Sequence, residues 1–211
     1  MEPDNKNTIG TSSSSTFSRI EKVHPFLMML YLVIVGISVL FLILMVAYIR
    51  TRLLEEGPIN RHFPQFFSFS TILILLSSFV ISRSSYFYRK DDLLKLKITL
   101  WATLLLGMGF VWSQIAGWRE MAMHGIPFQG GGSGTYIYLI SALHSVHLLG
   151  GFLYLSYILL RTLHASLNPI RTLVFIRNPY RRQQITMLCT YWYFMDILWV
   201  GIYLVFLFFN Y

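Results

Sequence analysis

The sequence predicts an all-α polytopic membrane protein, a bundle of five transmembrane helices. Composition is the first observation behind this: of 211 residues, 55% are hydrophobic and only 12% charged, where a soluble domain carries about a quarter charged. Charge placement is the second. Windows 26–49, 66–82, 98–118, 135–160 and 186–209 contain none of the seventeen Lys and Arg or nine Asp and Glu residues except Asp196. Each window suits a hydrocarbon core that needs about 20 apolar residues as helix, range about 17–25. The third is the alternation of basic residues between the two sides. Arg50, Arg52, Arg61 and Arg119 fall on one side and the other thirteen Lys and Arg on the opposite one. The positive-inside rule then places the N-terminus in the cytoplasm and the C-terminus outside.

Residues 1–20 read as a disordered polar tail, with Ser12 to Ser15 in a row. Residues 21–211 read as one transmembrane domain. His24-Pro25 suits a helix entry, because proline's fixed φ fits a first turn. Gly57-Pro58 and Pro64 break the chain before the second span. That span is extended to about 66–85, with Arg83 snorkelling to the headgroups. The Gly-rich run at 129–134 follows no strand and lacks the Gly-Lys-Ser/Thr of a phosphate loop, so it reads as an outer turn. A cleavable signal segment is not expected, since the first apolar stretch begins only at Phe26 and is too long for one. A pI near 9.7 arises from short loops between spans, so it reads as topology and not as a nucleic-acid surface. One cysteine, Cys189, excludes a disulfide framework, a Cys-based zinc site and an iron–sulfur cluster.

Polar residues inside spans are costly and mark contacts or sites. His144 and His147 stand at i, i+3 on one helical face, in a stripe continued by Gly151 and Tyr154. The face could ligate haem or metal, or form a packed polar interface. Two histidines without a Glu-x-x-His or a third ligand favour the interface. Trp192, Asp196, Trp199 and Tyr203 make a second stripe in the fifth span. His147 and Asp196 lie about 18 and 20 Å below the outer ends of their helices, at 1.5 Å per residue. The expectation is therefore a hydrogen bond from His147 or His144 to Asp196. A proton relay through the same three residues is the functional alternative, weakened because they form no continuous path. Gln114 and Trp118 close the third span, and both are expected to anchor it at the membrane surface.

The 134–151 segment, GTYIYLISALHSVHLLGG, resembles the aromatic run and H-x-x-H of the haem-copper oxidase subunit III family. The 191–199 segment, YWYFMDILW, resembles that family's YWHFVDxxW. LLLGMGFVWSQ in the third span and the position of Arg161 after His147 are also similar to the family pattern. The resemblance covers about 25–211 and points to the short five-helix bacterial form. Tyr193 departs from the family's histidine, Gly117 from a frequent glutamate, and the first span holds no glutamate.

The resemblance implies an accessory subunit without haem, copper or a catalytic site of its own, embedded in the bacterial cytoplasmic (inner) membrane. It would pack directly on the catalytic subunit I of a cytochrome c oxidase, beside subunit II and further subunits, with a larger respiratory supercomplex as a further partner. There it would stabilise the catalytic subunit, support proton uptake and bind phospholipid. In this reading His144, His147, Trp192, Asp196 and Trp199 serve interhelix or subunit contacts, Arg161 contacts a lipid phosphate, and no nucleic acid is involved. A quinol-oxidase or nitric-oxide-reductase-associated version is the near alternative. A small proton channel or transporter is the alternative of another class.

Overall fold

The computed structural model describes residues 25–55, 64–126, 128 and 132–210. The polar tail and Gly57-Pro58 lie outside the described residues, as do residues 129–131 of the Gly-rich run. The described chain forms helices α1 (Pro25–Leu54), α2 (Gln65–Arg89), α3 (Leu93–Met123), α4 (Ser133–Ala165), α5 (Pro169–Arg177) and α6 (Pro179–Asn210). All but α5 are long and apolar enough to cross a membrane. The helices outrun the charge-free windows because backbone hydrogen bonding continues into the headgroup zone, where charged side chains are tolerated. In α2 the helix runs on past Arg83, whose guanidinium sits 5.2 Å from the centre of the Phe79 ring.

Short connections set neighbours antiparallel. Between α2 and α3, Asp91 takes φ 59°, a left-handed conformation that Asp tolerates better than most residues. Asp92 then caps α3 by accepting from the Lys95 backbone N–H at 3.0 Å. This hairpin is the most extensively packed helix pair, and α6 lies against α2, α4 and α1. At the far end of the bundle two carboxylates cap neighbouring helices across tertiary distances. Glu120 of α3 accepts from the Gln65 N–H of α2 at 3.3 Å, and Glu55 accepts from the Ser133 hydroxyl that starts α4 at 2.6 Å. Both place negative charge where helix N-termini favour it. Arg52 joins them, donating to the Phe209 carbonyl at 2.9 Å and pairing with Glu55 at 3.1 Å.

Helix α5 was not apparent in the sequence, where its residues read only as a basic loop. Asn168-Pro169 starts it, and it lies across the end of the bundle that carries Arg89, Arg161 and Arg182. The Tyr88 hydroxyl of α2 sits within 3.0–3.1 Å of the Phe175, Ile176 and Asn178 carbonyls at its close.

Candidate functional site: a polar seam inside the bundle

Helix α2 carries Ser or Thr at 68, 70, 71, 77, 78, 82, 84 and 85. Positions 70, 77 and 84, and positions 71, 78 and 85, each recur every seven residues, which sets two neighbouring rows along one side of the helix. That face meets α6. Trp192 Nε1 donates to Ser77 Oγ at 3.0 Å and Trp199 Nε1 to Thr71 Oγ1 at 3.1 Å. Tyr203 Oη and Ser68 Oγ share a hydrogen bond of 2.9 Å. Ser78 Oγ donates to Asp196 Oδ2. At the Arg89 end, Ser85 Oγ and Cys189 Sγ lie 3.7 Å apart. One face of α2 thus engages one face of α6 over most of its length.

The same two-step device recurs in this seam and beyond it. A hydroxyl sends its single proton to a carbonyl of its own helix and keeps its lone pairs for an N–H of another. Thr71 donates to the Phe67 carbonyl and receives Trp199; Ser77 donates to Ile74 and receives Trp192. Ser70 donates to Phe67 and receives Gln114 Nε2 at 2.8 Å, tying α3 to α2. Ser141 of α4 donates to Ile137 and receives Trp118 Nε1 at 2.9 Å. Ser78 departs from the pattern: its proton goes to Asp196 Oδ2 of α6 instead of to a carbonyl of its own helix.

Two expectations from the sequence are therefore corrected. Asp196 meets Ser78 of α2, and neither nitrogen of His144 is hydrogen-bonded among the described residues. Matching depth fixed only the axial coordinate; the direction a residue faces around the helix decides its partner, and the Asp196 stripe faces α2. Nor is Gln114 a surface anchor. It is fully buried, clasping Ser70, while Trp118 is half-buried with its indole N–H spent on Ser141 and its carbonyl on the Tyr138 hydroxyl.

His144 is fully buried in a cage of rings: Trp199 at 5.0 Å, Phe110 at 5.7 Å and Phe41 at 6.2 Å between centroids. His147, one turn on, is half-buried and 5.7 Å from the same Phe41. Its Nδ1 pairs with the Leu143 carbonyl at 2.8 Å, and its own carbonyl receives the Tyr191 hydroxyl of α6 at 2.8 Å. The pair of histidines thus packs α4 against Phe41 of α1, and His144 bridges to α3 and α6. Among the described residues no three His, Cys, Asp or Glu side chains converge as a metal site.

Arg161 is exposed at the end of α4 that carries α5, 5.5 Å from the centre of the Tyr157 ring. It lines a cavity of about 270 Å³ together with His164, Arg171 and Arg181. A separate apolar groove of about 360 Å³ runs between α1, α4 and α6, lined by Met29, Val33, Gly150, Tyr154, Met187 and Tyr191 among others. The hydroxyl row of α2 and the Arg52–Glu55 clasp were not singled out from the sequence. The helical recurrence of Ser and Thr in the second span was the available signal for the first.

No family model matches the chain. It is similar to a curated protein of Mycobacterium tuberculosis called "Probable cytochrome c oxidase subunit 3", 26% identical over 135 residues, which is 64% of this chain and 62% of that protein. It is also similar to "Cytochrome c oxidase subunit 3" of Bacillus subtilis, 25% identical over 174 residues, 81% of this chain and 79% of that protein. The protein of that name from Corynebacterium diphtheriae is 24% identical over 151 residues, 71% of this chain and 68% of that one. The aligned part of the mycobacterial relatives is about three fifths of their length. The chain thus has homologues named as this oxidase subunit in several bacteria, and these agree with the resemblance carried by the H-x-x-H and YWYFMDILW segments.

Proposed function

We propose that this chain is the non-redox subunit III of a bacterial respiratory terminal oxidase of the cytochrome c oxidase class, set in the cytoplasmic membrane with its N-terminus inside. The observation that carries the reading is how the polar groups within the spans are used. Trp192, Trp199, Gln114, Trp118 and one oxygen of Asp196 are committed to hydrogen bonds between helices, and His144 is held by aromatic rings. Such an interior suits a rigid body that braces a neighbour, with oxygen chemistry carried by haem and copper in partner subunits. His144 presents a poor ligand position for either, since ring contacts surround it and, among the described residues, no three His, Cys, Asp or Glu side chains gather there. The names of the relatives support the same assignment.

In this reading the protein packs on subunit I, alongside subunit II, and supports proton uptake by holding that subunit in its working shape. Phospholipid is its other partner. The apolar groove between α1, α4 and α6 has the size and lining for part of an acyl chain, and Arg161 offers a guanidinium whose fork matches a phosphate. Affinity purification of the tagged chain from its native membranes in mild detergent tests the proposal. The expected result is co-purification with haem-bearing chains and oxygen reduction by the eluate. Recovery of the chain alone, or proton conduction by the lone chain in vesicles, would overturn it and favour the channel reading.

A further inference from the structure

Most cations at the α5 end of the bundle are already engaged. Arg83, Lys90 and Arg161 lie over aromatic rings. Lys95 pairs with Asp92 at 3.0 Å, and Lys97 donates to Ser166 at 3.2 Å. Arg171 meets His164 at 3.0 Å, and Arg181 donates to Gln184 at 2.7 Å. Arg89 and Arg182 have no such hydrogen bond, ion pair or ring contact among the described residues. They come from different helices, α2 and α6, yet line one cavity of about 260 Å³.

Chemistry around that cavity favours an anion. Its other walls are Ser85, Tyr88, Ile185 and Thr186, and among the described residues no carboxylate lines it. The first turn of α6, which includes Arg182, contains no acidic residue, so the positive end of the helix dipole is not neutralised locally. Tyr88 is not free to serve as a donor, because its hydroxyl is held among three carbonyls of the α5 segment. The Thr186 hydroxyl likewise donates to the Arg182 carbonyl at 3.0 Å. The two guanidiniums are the charged donors left for a ligand, each a planar fork suited to a pair of phosphate oxygens. Like charges facing one polar cavity repel unless an anion sits between them.

We propose that Arg89 and Arg182 form a two-arginine site for a phosphate group, distinct from the cavity that Arg161 lines. The cavity lies at the ends of two helices that are long and apolar enough to cross a membrane. A phosphodiester of an anionic phospholipid and free inorganic phosphate share the recognised chemistry.

The test uses the intact chain, alone and in its complex, transferred to nanodiscs containing phosphatidylglycerol and phosphatidylcholine and examined by native mass spectrometry. Wild type is expected to retain one phosphatidylglycerol that the R89Q/R182Q double variant loses at least tenfold. The R89K/R182K variant should retain an intermediate amount, since an ammonium keeps charge without the fork. Arg177→Gln, at an exposed arginine outside the cavity, should change retention less than twofold. A signal displaced by millimolar inorganic phosphate, with no lipid adduct, would assign the site to the free ion and keep it. Equal retention by wild type and R89Q/R182Q, with no phosphate binding in either, overturns the proposal. So does an equal loss from Arg177→Gln, which would mean general surface charge. Retention by the isolated chain but not by the complex would give the cavity to an acidic segment of a partner and overturn lipid occupancy. Far-ultraviolet circular dichroism of each variant separates loss of binding from loss of fold.

Discussion

Replacing Thr71 by Val keeps the branched shape and removes one hydroxyl from the α2–α6 seam. Two hydrogen bonds go with it, and they are unequal. The Phe67 carbonyl keeps the Ser70 hydroxyl as a partner, so its loss is small. The Trp199 indole N–H, fully buried, keeps none. A buried donor left unpaired costs about 1–3 kcal/mol in soluble proteins, whereas interhelical hydrogen bonds within membranes average about 0.6 kcal/mol with a maximum of about 1.7. Thr71→Val should therefore lower stability by about 1 kcal/mol, a fivefold or so change in the unfolding constant. Trp199→Phe should cost more, because it also strips ring contact from His144, Phe67 and Phe110. Once the indole is gone, Thr71 no longer has a tertiary partner to lose. A double-mutant cycle by detergent titration in bicelles, read by circular dichroism, should give a coupling of about 1 kcal/mol. If Thr71→Val cost the same with Phe at 199 as with Trp, the two-step hydroxyl device would be refuted.

Two further predictions concern packing and charge. At Gly117 a Cβ would come 2.7 Å from Cε1 of the Phe67 ring, whereas at Gly36 nothing lies within 4 Å. Gly117→Ala should destabilise by about 1–3 kcal/mol and Gly36→Ala hardly at all, and equal thermal shifts would contradict the packing. The Lys95 backbone N–H, with the Lys95 side chain beside it, holds the Asp92 carboxyl below its ordinary value. Its cap on α3 should be fully present above the unfolded carboxyl pKa of about 3.9 and lost as pH falls through the lower folded value. A carboxyl carbon-13 titration of Asp92 with a midpoint at or above about 3.9 would contradict this.

The spans were legible because hydrocarbon excludes charge so strongly that its absence marks each crossing. Partners inside the bundle were less so. Serine and threonine look neutral on a hydropathy scale, and Ser77 is separated from Trp192 by most of the chain, so neither advertises the other. Asp196 and the histidines drew notice because ionisable groups are rare in a membrane, yet rarity says nothing of which way a side chain faces. Gln114 lay near a helix end and was read by its height; a neighbour at Ser70 pulled it inward. Helix α5 escaped because nine residues with three arginine or proline interruptions carry too short a pattern to separate from a loop.

The hydroxyls of α2 also bear on which helices can pair at all. With their protons turned back on their own backbone, Thr71 and Ser77 leave that helix a row of acceptors, while the indoles of α6 supply donors. Two copies of α2 brought face to face would have little to exchange without uncovering a carbonyl, and two copies of α6 would meet indole to indole. At these two positions the mismatch in polarity favours pairing of α2 with α6 over pairing of either helix with its own copy.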